Sequence, residues 1–484
     1  MTMVCIAKIW LKTYHFRQRY NATSGQSRFS GLPEGGVETR VTKSIWDGIP
    51  SIHLMRYATR LTWPQFASMQ RIAGSRFLRA VATLSSGQSL AAITSIAAAP
   101  ILGRLYQPAE YGVLGGYMAV SSVLTGIGNW QYSQAIIVEN RENKAHALVR
   151  LCVITTLVTA LFSALVGAAI FLYPASSFQA ERSWFLLLPV TTMTGGLTAA
   201  WTAMANRRRR YRPMAAAQVA SVFITVCGSI AFGFAGFGYV GPIVAYLMGA
   251  VVSCLFYAHI YYTLPDCRKY ALTRRRLAAM AAKHRGFALF STPSSFVGNF
   301  AMQVPVYALG LQGATGMIGL FSRARQLLSM PITLVGGSIA QVFQQRAAVD
   351  YATTGNCERI FRSTFWMLLG IGLLPTLLMA IAAPWLFEVF LGPHWRPAGE
   401  VARVLAPMLL LRLVCSPLAT VFAITGAQRE DFVLSVVTTF VTAVAVAVPL
   451  LLNWPSIWIA IGFSGSYCLT YCIYLWRGYQ HCKC

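Results

Sequence analysis

Apolar stretches of about twenty residues recur along the chain from about residue 79 to residue 476. Each is long enough, at roughly 1.5 Å per residue of helix, to cross about 30 Å of hydrocarbon. The pattern therefore predicts an all-α polytopic membrane protein. Twelve spans are predicted, at about 79–102, 112–138, 148–172, 184–205, 213–235, 239–262, 287–311, 316–343, 363–391, 401–424, 431–452 and 455–476.

The longest interior loop, DCRKYALTRRRLAAMAAKHRG, is basic and helix-prone and leaves six spans on each side. Shifting the second half back by 207 residues aligns Gly112 with Gly319, as a duplicated six-helix unit would. Because six is even, both units enter the membrane from the same side, so we expect a pseudo-two-fold axis along the membrane normal and space for a cavity between the lobes. The expected parts are an N-lobe at 69–265, a basic linker at 266–286, a C-lobe at 287–476 and a tail at 477–484.

Residues 1–68 differ from the rest of the chain. They are rich in Gly, Ser, Thr and Pro around NATSGQSRFSGLPEGGVETR and lack a hydrophobic period long enough for a core. The opening MTMVCIAKIWLK is too short and too interrupted for a signal peptide. Two interpretations remain: a disordered cytoplasmic extension, or a start codon assigned too early, with Met69 as the natural alternative.

The composition, with 56% hydrophobic and 11% charged residues and a mean hydropathy of +0.54, excludes ordinary soluble domains. The net charge of +26 is unevenly distributed. If the first span begins inside, the inward loops hold 24 Lys and Arg residues and the outward loops hold four. This asymmetry predicts that both termini are cytoplasmic. The basic loops then orient the protein and contact anionic membrane lipids, which argues against nucleic acid as a partner.

The sequence gives little support for a catalytic site or a bound cofactor. The eleven cysteines are scattered and have neither metal-ligand nor disulfide-framework spacing, so no metal or cofactor is predicted. The outward loops are short, and no cluster of acidic residues is present. These features argue against a polysaccharide polymerase or glycosyltransferase and favour a transporter.

Three arginines lie deep inside the predicted spans, away from their ends: Arg323 and Arg325 in span eight and Arg412 in span ten. All fourteen carboxylates lie in loops, at span ends or in the N-terminal extension, so the arginines have no obvious acidic partner. An unpaired cation is costly in the membrane unless it meets water or an anion. Arg325 belongs to a stripe with the 3.6-residue period, and Arg323 lies roughly 100° away. The other stripe members are small or polar: Ser322, Ser329, Thr333, Gly336, Ala340 and Gln344.

Alternatives remain for each arginine. Arg323 either binds an anion or snorkels towards the outer headgroups. For Arg325 a cavity-facing position is favoured. Arg412, with Ser416 on the same face, either faces the cavity or donates to carbonyls freed by nearby prolines. Three further polar residues are candidates for the cavity wall or for helix packing: Gln88, Asn129 and Asn299, the last following Pro293, which is expected to break or kink span seven.

Four segments in order resemble one known family. They are LRAVATLSSGQSLAAITSIAAAPILGRLYQPAEYG at 78–112, FALFSTPSSFVGNFAMQVPV at 287–306, GLFSRARQLLSMPITLVGGSIAQVFQQRAA at 319–348 and FLGPHWRPAGEVARVLAPMLLLRLVCSPLATVFAITGAQR at 390–429. With these segments the chain resembles the bacterial oligosaccharide, or O-antigen, flippases of the polysaccharide biosynthesis group. Those flippases belong to the multidrug/oligosaccharidyl-lipid/polysaccharide exporter superfamily.

The resemblance implies a twelve-helix inner-membrane fold of two six-helix lobes. It implies movement of undecaprenyl-pyrophosphate-linked sugar repeat units to the periplasmic face by alternating access, for O-antigen, capsule or exopolysaccharide assembly. A polysaccharide polymerase and chain-length machinery are then possible partners. Arg325 and Arg412 correspond to arginines of the family, and we expect them to bind the anionic head group; Arg323 has no counterpart there.

One segment departs from the family pattern. Family members often have Arg-Tyr-Glu near the end of span two, where this chain has Gln131, Tyr132 and Ser133. Both charges are absent together, as expected if a structural ion pair has been replaced. A drug exporter of the same superfamily is the alternative function, but a cationic drug would need a buried carboxylate, and none is apparent in the sequence. A membrane polysaccharide polymerase is a more distant alternative.

Overall fold

The structure, a computed structural model, describes residues 86–139, 141–172, 182–264 and 274–483. The expected extension at residues 1–68 lies outside these ranges. So does the start of the predicted linker, and the side chain of Thr333 is likewise outside the described part. Within the described ranges the chain is helical and contains no β-strand, which confirms the predicted all-α class.

Fifteen α-helices are found in the described residues, and twelve of them have at least 20 residues. In chain order they are α1 (Ser86–Leu105), α2 (Pro108–Ile127), α3 (Tyr132–Val138), α4 (Glu142–Leu172), α5 (Leu188–Arg207), α6 (Tyr211–Phe234), α7 (Val240–Tyr262), α8 (Arg274–Lys283), α9 (Thr292–Leu311), α10 (Thr315–Thr354), α11 (Glu358–Leu391), α12 (Arg396–Leu418), α13 (Val421–Ile424), α14 (Gln428–Leu451) and α15 (Ile457–Cys482).

Eight of the long helices are apolar enough throughout to cross a membrane on length and composition alone. The other four long helices, α2, α5, α9 and α10, are as long but less apolar. Helix α2 packs on the other three members of this group. A helix that faces other helices can carry more small and polar residues than one that faces lipid. The less apolar helices therefore mark the centre of the bundle.

The two six-helix halves meet where α2 crosses α10. A Cβ atom added to Gly112 would lie 1.9 Å from the carbonyl oxygen of Thr315, and one added to Gly319 would lie 1.8 Å from that of Pro108. Pro108 and Thr315 are themselves 207 residues apart, as Gly112 and Gly319 are. The two contacts are thus equivalent under the internal repeat, as a pseudo-two-fold axis between the halves requires.

Two local departures from regular helix follow from the sequence. Phe287–Ser291 forms one π-helical turn, and Pro293 lies in the first turn of α9, where its missing N–H costs nothing. The helix thus departs from regular α geometry near Pro293, as a π-turn that runs directly into α9. Helix α10 extends to Thr354, eleven residues past the predicted end of its span, and stops at Gly355, whose φ of 71° suits glycine.

Candidate functional site

A cavity of about 750 Å³ lies within the N-terminal half of the bundle. Its walls come from α1, α2, α3, α5, α6 and α7, and one wall is closed by Arg323, Gln326 and Met330 of α10. It therefore lies between the helices of the N-terminal half and α10 of the C-terminal half. None of the described residues that line it is acidic.

Two helices give the cavity a lining of neutral polar groups. Helix α5 contributes Thr191, Thr194, Thr198, Thr202 and Asn206 at intervals of three or four residues, and α6 contributes Gln218, Ser221, Thr225 and Ser229 in the same way. Such spacing places the members of each set on one helix face. Several hydroxyl hydrogens are already donated to backbone carbonyls of the preceding turn, so these hydroxyls offer their oxygens to a ligand.

Arg323 is the only charged residue among the described residues that line this cavity. Its side chain is 5% exposed, and its guanidinium carbon lies 4.8 Å from the centre of the Tyr111 ring. Its Nη1 donates to Gln326 Oε1 at 3.2 Å, whereas its Nε and Nη2 have no partner among the described residues. The side chain of Arg323 is therefore buried within the bundle, and two of its donor atoms remain available to a ligand.

The position of Arg323 is set by aromatic packing at the end of the bundle where α10 begins. Tyr111, which lines the cavity, packs edge-on against Trp395 with ring centres 5.4 Å apart. Trp395 is fully buried and donates to the carbonyl oxygen of Gly103 at 2.7 Å. Tyr111 is therefore fixed, and its ring face stabilises the guanidinium without providing a hydrogen-bond acceptor.

Arg325 lies on the other side of α10 and is well partnered. Its Nη1 donates to the carbonyl oxygen of Met302, its Nη2 donates to Gln303 Oε1 at 2.9 Å, and its guanidinium lies 5.4 Å from the Phe321 ring centre. Gln303 in turn donates to Ser122 Oγ at 3.0 Å. This chain of contacts joins α10 to α9 and α2. Arg325 does not line the cavity described here, and its expected role in binding stays a prediction.

Arg412 on α12 is half-buried and lies close enough to Arg325 for their charges to repel. Tyr467 and Tyr471 of α15 face it within electrostatic range. No hydrogen bond from Arg412 to another described residue is found, so the described contacts give no support to bonding with carbonyls freed by proline. The structure thus brings Arg325 and Arg412 together, as expected, and separates Arg323 from them.

The weaker candidates lie at several different places. Ser322 packs against Gly115, and Asn299 packs against Gly126, both across contacts with α2. Ser329 donates to the Arg325 carbonyl at 2.6 Å, and Asn129 donates to the Gly196 carbonyl at 3.4 Å. Gln88 and Ser416 are exposed. The helix-packing alternative accordingly fits Ser322, Asn299 and Asn129, whereas the hydrogen bond of Ser329 to Arg325 stays within α10.

Sequence reasoning missed the polar stripes of α5 and α6, although the signal was present. TTMTGGLTAAWTAMAN and QVASVFITVCGS both repeat Ser, Thr, Asn or Gln with the helical period. Neither stripe contains a charge, and the search for intramembrane chemistry began from charges. In the segment near the end of span two that departs from the family pattern, Ser133 lines the cavity, and Gln131 donates to the Gly126 carbonyl at 2.7 Å.

A charged cluster closes the end of the N-terminal half where α3 ends. Glu139 is 5% exposed and accepts hydrogen bonds from Lys283 and from His284, whose Nε2 lies 3.1 Å away. Burial alone would raise the pKa of this carboxyl, but the bonds from Lys283, His284 and the Arg141 backbone outweigh burial and lower the pKa to about 2. The predicted linker region therefore contains a helix, α8, that is tied to the N-terminal half by an ion pair.

Comparisons with solved structures agree with this architecture. The lipid II flippase MurJ in an inward closed conformation is 13% identical, with a TM-score of 0.62 over 81% of this chain and 86% of that one. An inward-facing multidrug resistance MATE family transporter of the MOP superfamily is 16% identical, with a TM-score of 0.55 over 82% of this chain and 97% of the other. A MOP superfamily transporter from Pyrococcus furiosus, described by the reverse polarity of its binding pocket, is 16% identical, with a TM-score of 0.52 over 82% and 94%. These likenesses establish the fold.

Comparison with protein families is more specific. A search of curated proteins finds no match. The model of the family described as polysaccharide biosynthesis protein matches residues 101–348, just over half of the 484 residues. This match covers α2 to α10 almost completely and so includes nearly all of the cavity lining, together with Arg323 and Arg325. It confirms the resemblance seen in the sequence: the chain belongs to the polysaccharide biosynthesis protein family and has the fold of MOP superfamily flippases and exporters.

Proposed function

We propose that this protein is a flippase of the bacterial inner membrane that moves polyprenyl-pyrophosphate-linked oligosaccharides by alternating access, with both termini in the cytoplasm. The observation that carries the proposal is the guanidinium of Arg323, buried at the wall of a polar cavity with donors unused. A buried cation of this kind is stable beside an anion that enters and leaves. A pyrophosphate provides such an anion, and an arginine offers it paired N–H donors.

The neutral groups of the cavity suit the sugars of the same substrate. Hydroxyl and amide side chains of α5 and α6 line one region, and they can exchange hydrogen bonds with sugar hydroxyls without adding charge. Arg325 and Arg412 form a second cationic region on the other side of α10. In the proposed cycle they receive the head group when the lobes change their angle, and this assignment extends the expectation drawn from the sequence.

A cationic drug is disfavoured as substrate because the described lining of the cavity contains an arginine and no carboxylate. A polymerase is distinguished by what a deletion strain accumulates. Loss of a flippase leaves complete lipid-linked units on the cytoplasmic face, whereas loss of a polymerase leaves unpolymerised units in the periplasm. The second result would contradict the proposal.

The direct test is flipping of a fluorescent undecaprenyl-pyrophosphate disaccharide in proteoliposomes, read by chemical quenching of the outer leaflet. Arg323→Ala is expected to slow flipping on the order of tenfold or more, since it removes charge-assisted bonds to phosphate. Arg323→Lys keeps the charge but loses the paired donors, so we expect partial recovery. Unchanged flipping by Arg323→Ala would refute the role of this residue.

Arg403→Ala is the matched control. Arg403 is also an arginine of a membrane helix, but its side chain is 42% exposed and pairs with Glu400 at 3.2 Å, outside the cavity. We expect this variant to flip at the wild-type rate. Equal loss in both variants would show that flipping responds to total charge and does not depend on the site.

A further inference from the structure

A second concavity, which we call the apolar groove, lies between α10, α11 and α12, with Ile96 of α1 on its edge. It encloses about 480 Å³, and its described lining is almost wholly aliphatic or aromatic, Thr376 being the one side chain with a hydroxyl. That hydroxyl donates to the Gly372 carbonyl at 2.7 Å and is therefore satisfied within its own helix. The groove can therefore pack against an apolar ligand, but it offers that ligand no hydrogen-bond partner.

Gly372 lines the groove, and an added Cβ there would come within 2.6 Å of the Leu410 side chain and 2.9 Å of the Leu413 side chain. The missing side chain of Gly372 therefore makes room for the two leucines of α12 in the groove wall. Along α11 the lining extends from Ile371 to Phe390, which at 1.5 Å per residue is roughly 28 Å, close to the thickness of the hydrocarbon core.

The groove and the polar cavity share two helices. On α1, Ser95 lines the cavity and its neighbour Ile96 lines the groove; on α10, Gln326 lines the cavity and Leu327 lines the groove. The polar and apolar spaces therefore lie on two sides of the same pair of helices, one helical turn from Arg323. A molecule that fits both spaces is polar and anionic at one end and a long hydrocarbon at the other.

We infer that the apolar groove holds the polyprenyl chain of the substrate while its pyrophosphate is bound at Arg323, an inference that rests on the proposed function. Transfer of a chain from lipid into a protein groove gains little from the hydrophobic effect, because lipid is equally apolar. The groove acts by position: it spans the depth of the membrane and keeps the chain beside the cavity as the head group crosses. An ordinary phospholipid lacks a head group that reaches Arg323 and is not retained.

Photo-crosslinking in nanodiscs tests the inference. The probe is a polyprenyl pyrophosphate with a diazirine in its chain, and labelled peptides are identified by mass spectrometry. We expect labelling of α10, α11 and α12 around the groove that is suppressed by excess undecaprenyl pyrophosphate and not by phosphatidylglycerol. Ile371→Trp, which adds bulk at the groove wall, should reduce this labelling several-fold.

Ile381→Trp is the matched control, because Ile381 is 76% exposed on the opposite face of α11 and is absent from the groove lining. We expect it to leave labelling unchanged. Labelling suppressed by undecaprenyl pyrophosphate at another site would overturn the groove and leave the proposed function intact. The absence of suppressible labelling anywhere in the protein would contradict the proposed function itself.

Discussion

The sharpest test of the site separates stability from transport at Arg323. The change is Arg323→Met, which keeps an unbranched side chain and removes the guanidinium. Two buried donor atoms without partners cost about 1–3 kcal/mol each, and they are present in the wild-type protein. The contact with the Tyr111 ring returns about 2 kcal/mol when desolvated. One bond to Gln326 adds about 1.5–3 kcal/mol because the donor is charged.

These contributions nearly cancel, so Arg323→Met should change the free energy of unfolding by less than about 2 kcal/mol in either direction. Arg325→Met is the comparison. It breaks two hydrogen bonds of a charged donor and strands the carboxamide oxygen of Gln303, so it should cost about 3 kcal/mol or more. The structure thus predicts that the residue more important for substrate binding is the less important one for folding.

The assay is thermal unfolding of purified protein with and without undecaprenyl pyrophosphate. At a ligand concentration of about 100 times the dissociation constant, binding stabilises the wild type by about 2.7 kcal/mol. Arg323→Met should unfold near the wild-type temperature without ligand and lose most of the ligand-dependent shift. If it is destabilised as much as Arg325→Met and keeps the shift, Arg323 has a structural role and the reasoning fails.

Two further predictions concern other parts of the fold. Gly319→Ala should destabilise the protein by several kcal/mol, since the new methyl group meets the Pro108 carbonyl. Gly337→Ala in the same helix is the control: its methyl group meets nothing within 4 Å, so the change should be neutral or slightly stabilising. Thermal unfolding distinguishes the two variants, and equal effects would contradict the close contact. Glu139→Gln should cost about 2 kcal/mol, after discounting for the 47% exposure of Lys283. Because the pKa of Glu139 is lowered on folding from 4.5 to about 2, its contribution is complete above 4.5 and is lost as the pH falls towards 2. The difference in stability from wild type should therefore narrow as the pH falls below about 4.5; a difference that stays unchanged down to about pH 3 would show that another group controls the cluster.

Hydropathy was sufficient to find the twelve long helices, although α2, α5, α9 and α10 are less apolar than the other eight because they pack on other helices. It was less informative about the ends of helices. Helix α10 continues to Thr354, since residues beyond its predicted end remain good helix formers and only Gly355 stops it. The repeat was detectable from Gly112 and Gly319 because close backbone contact restricts those positions to the smallest residue.

The candidate site was harder to predict. Helical geometry correctly separated Arg323 from Arg325, but periodicity does not say which helix each face meets. The stripe through Ser322, Arg325 and Ser329 was expected to face a cavity; instead, Ser322 packs on α2 and Arg325 bonds to α9. Arg323, on the other face of α10, contacts the Tyr111 ring and lines the polar cavity. Only the tertiary arrangement of α2, α9 and α10 decides between the two.

The reciprocal contact of Gly112 with Thr315 and of Gly319 with Pro108 has a mechanical consequence. Each of these glycines lies directly against the backbone of the other helix, so the helices approach more closely here than bulkier residues would allow. A larger residue at either position would hold the two halves apart at their crossing. Because the two glycines occupy equivalent positions of the repeat, one small residue in the repeated unit sets the separation of the halves at both contacts.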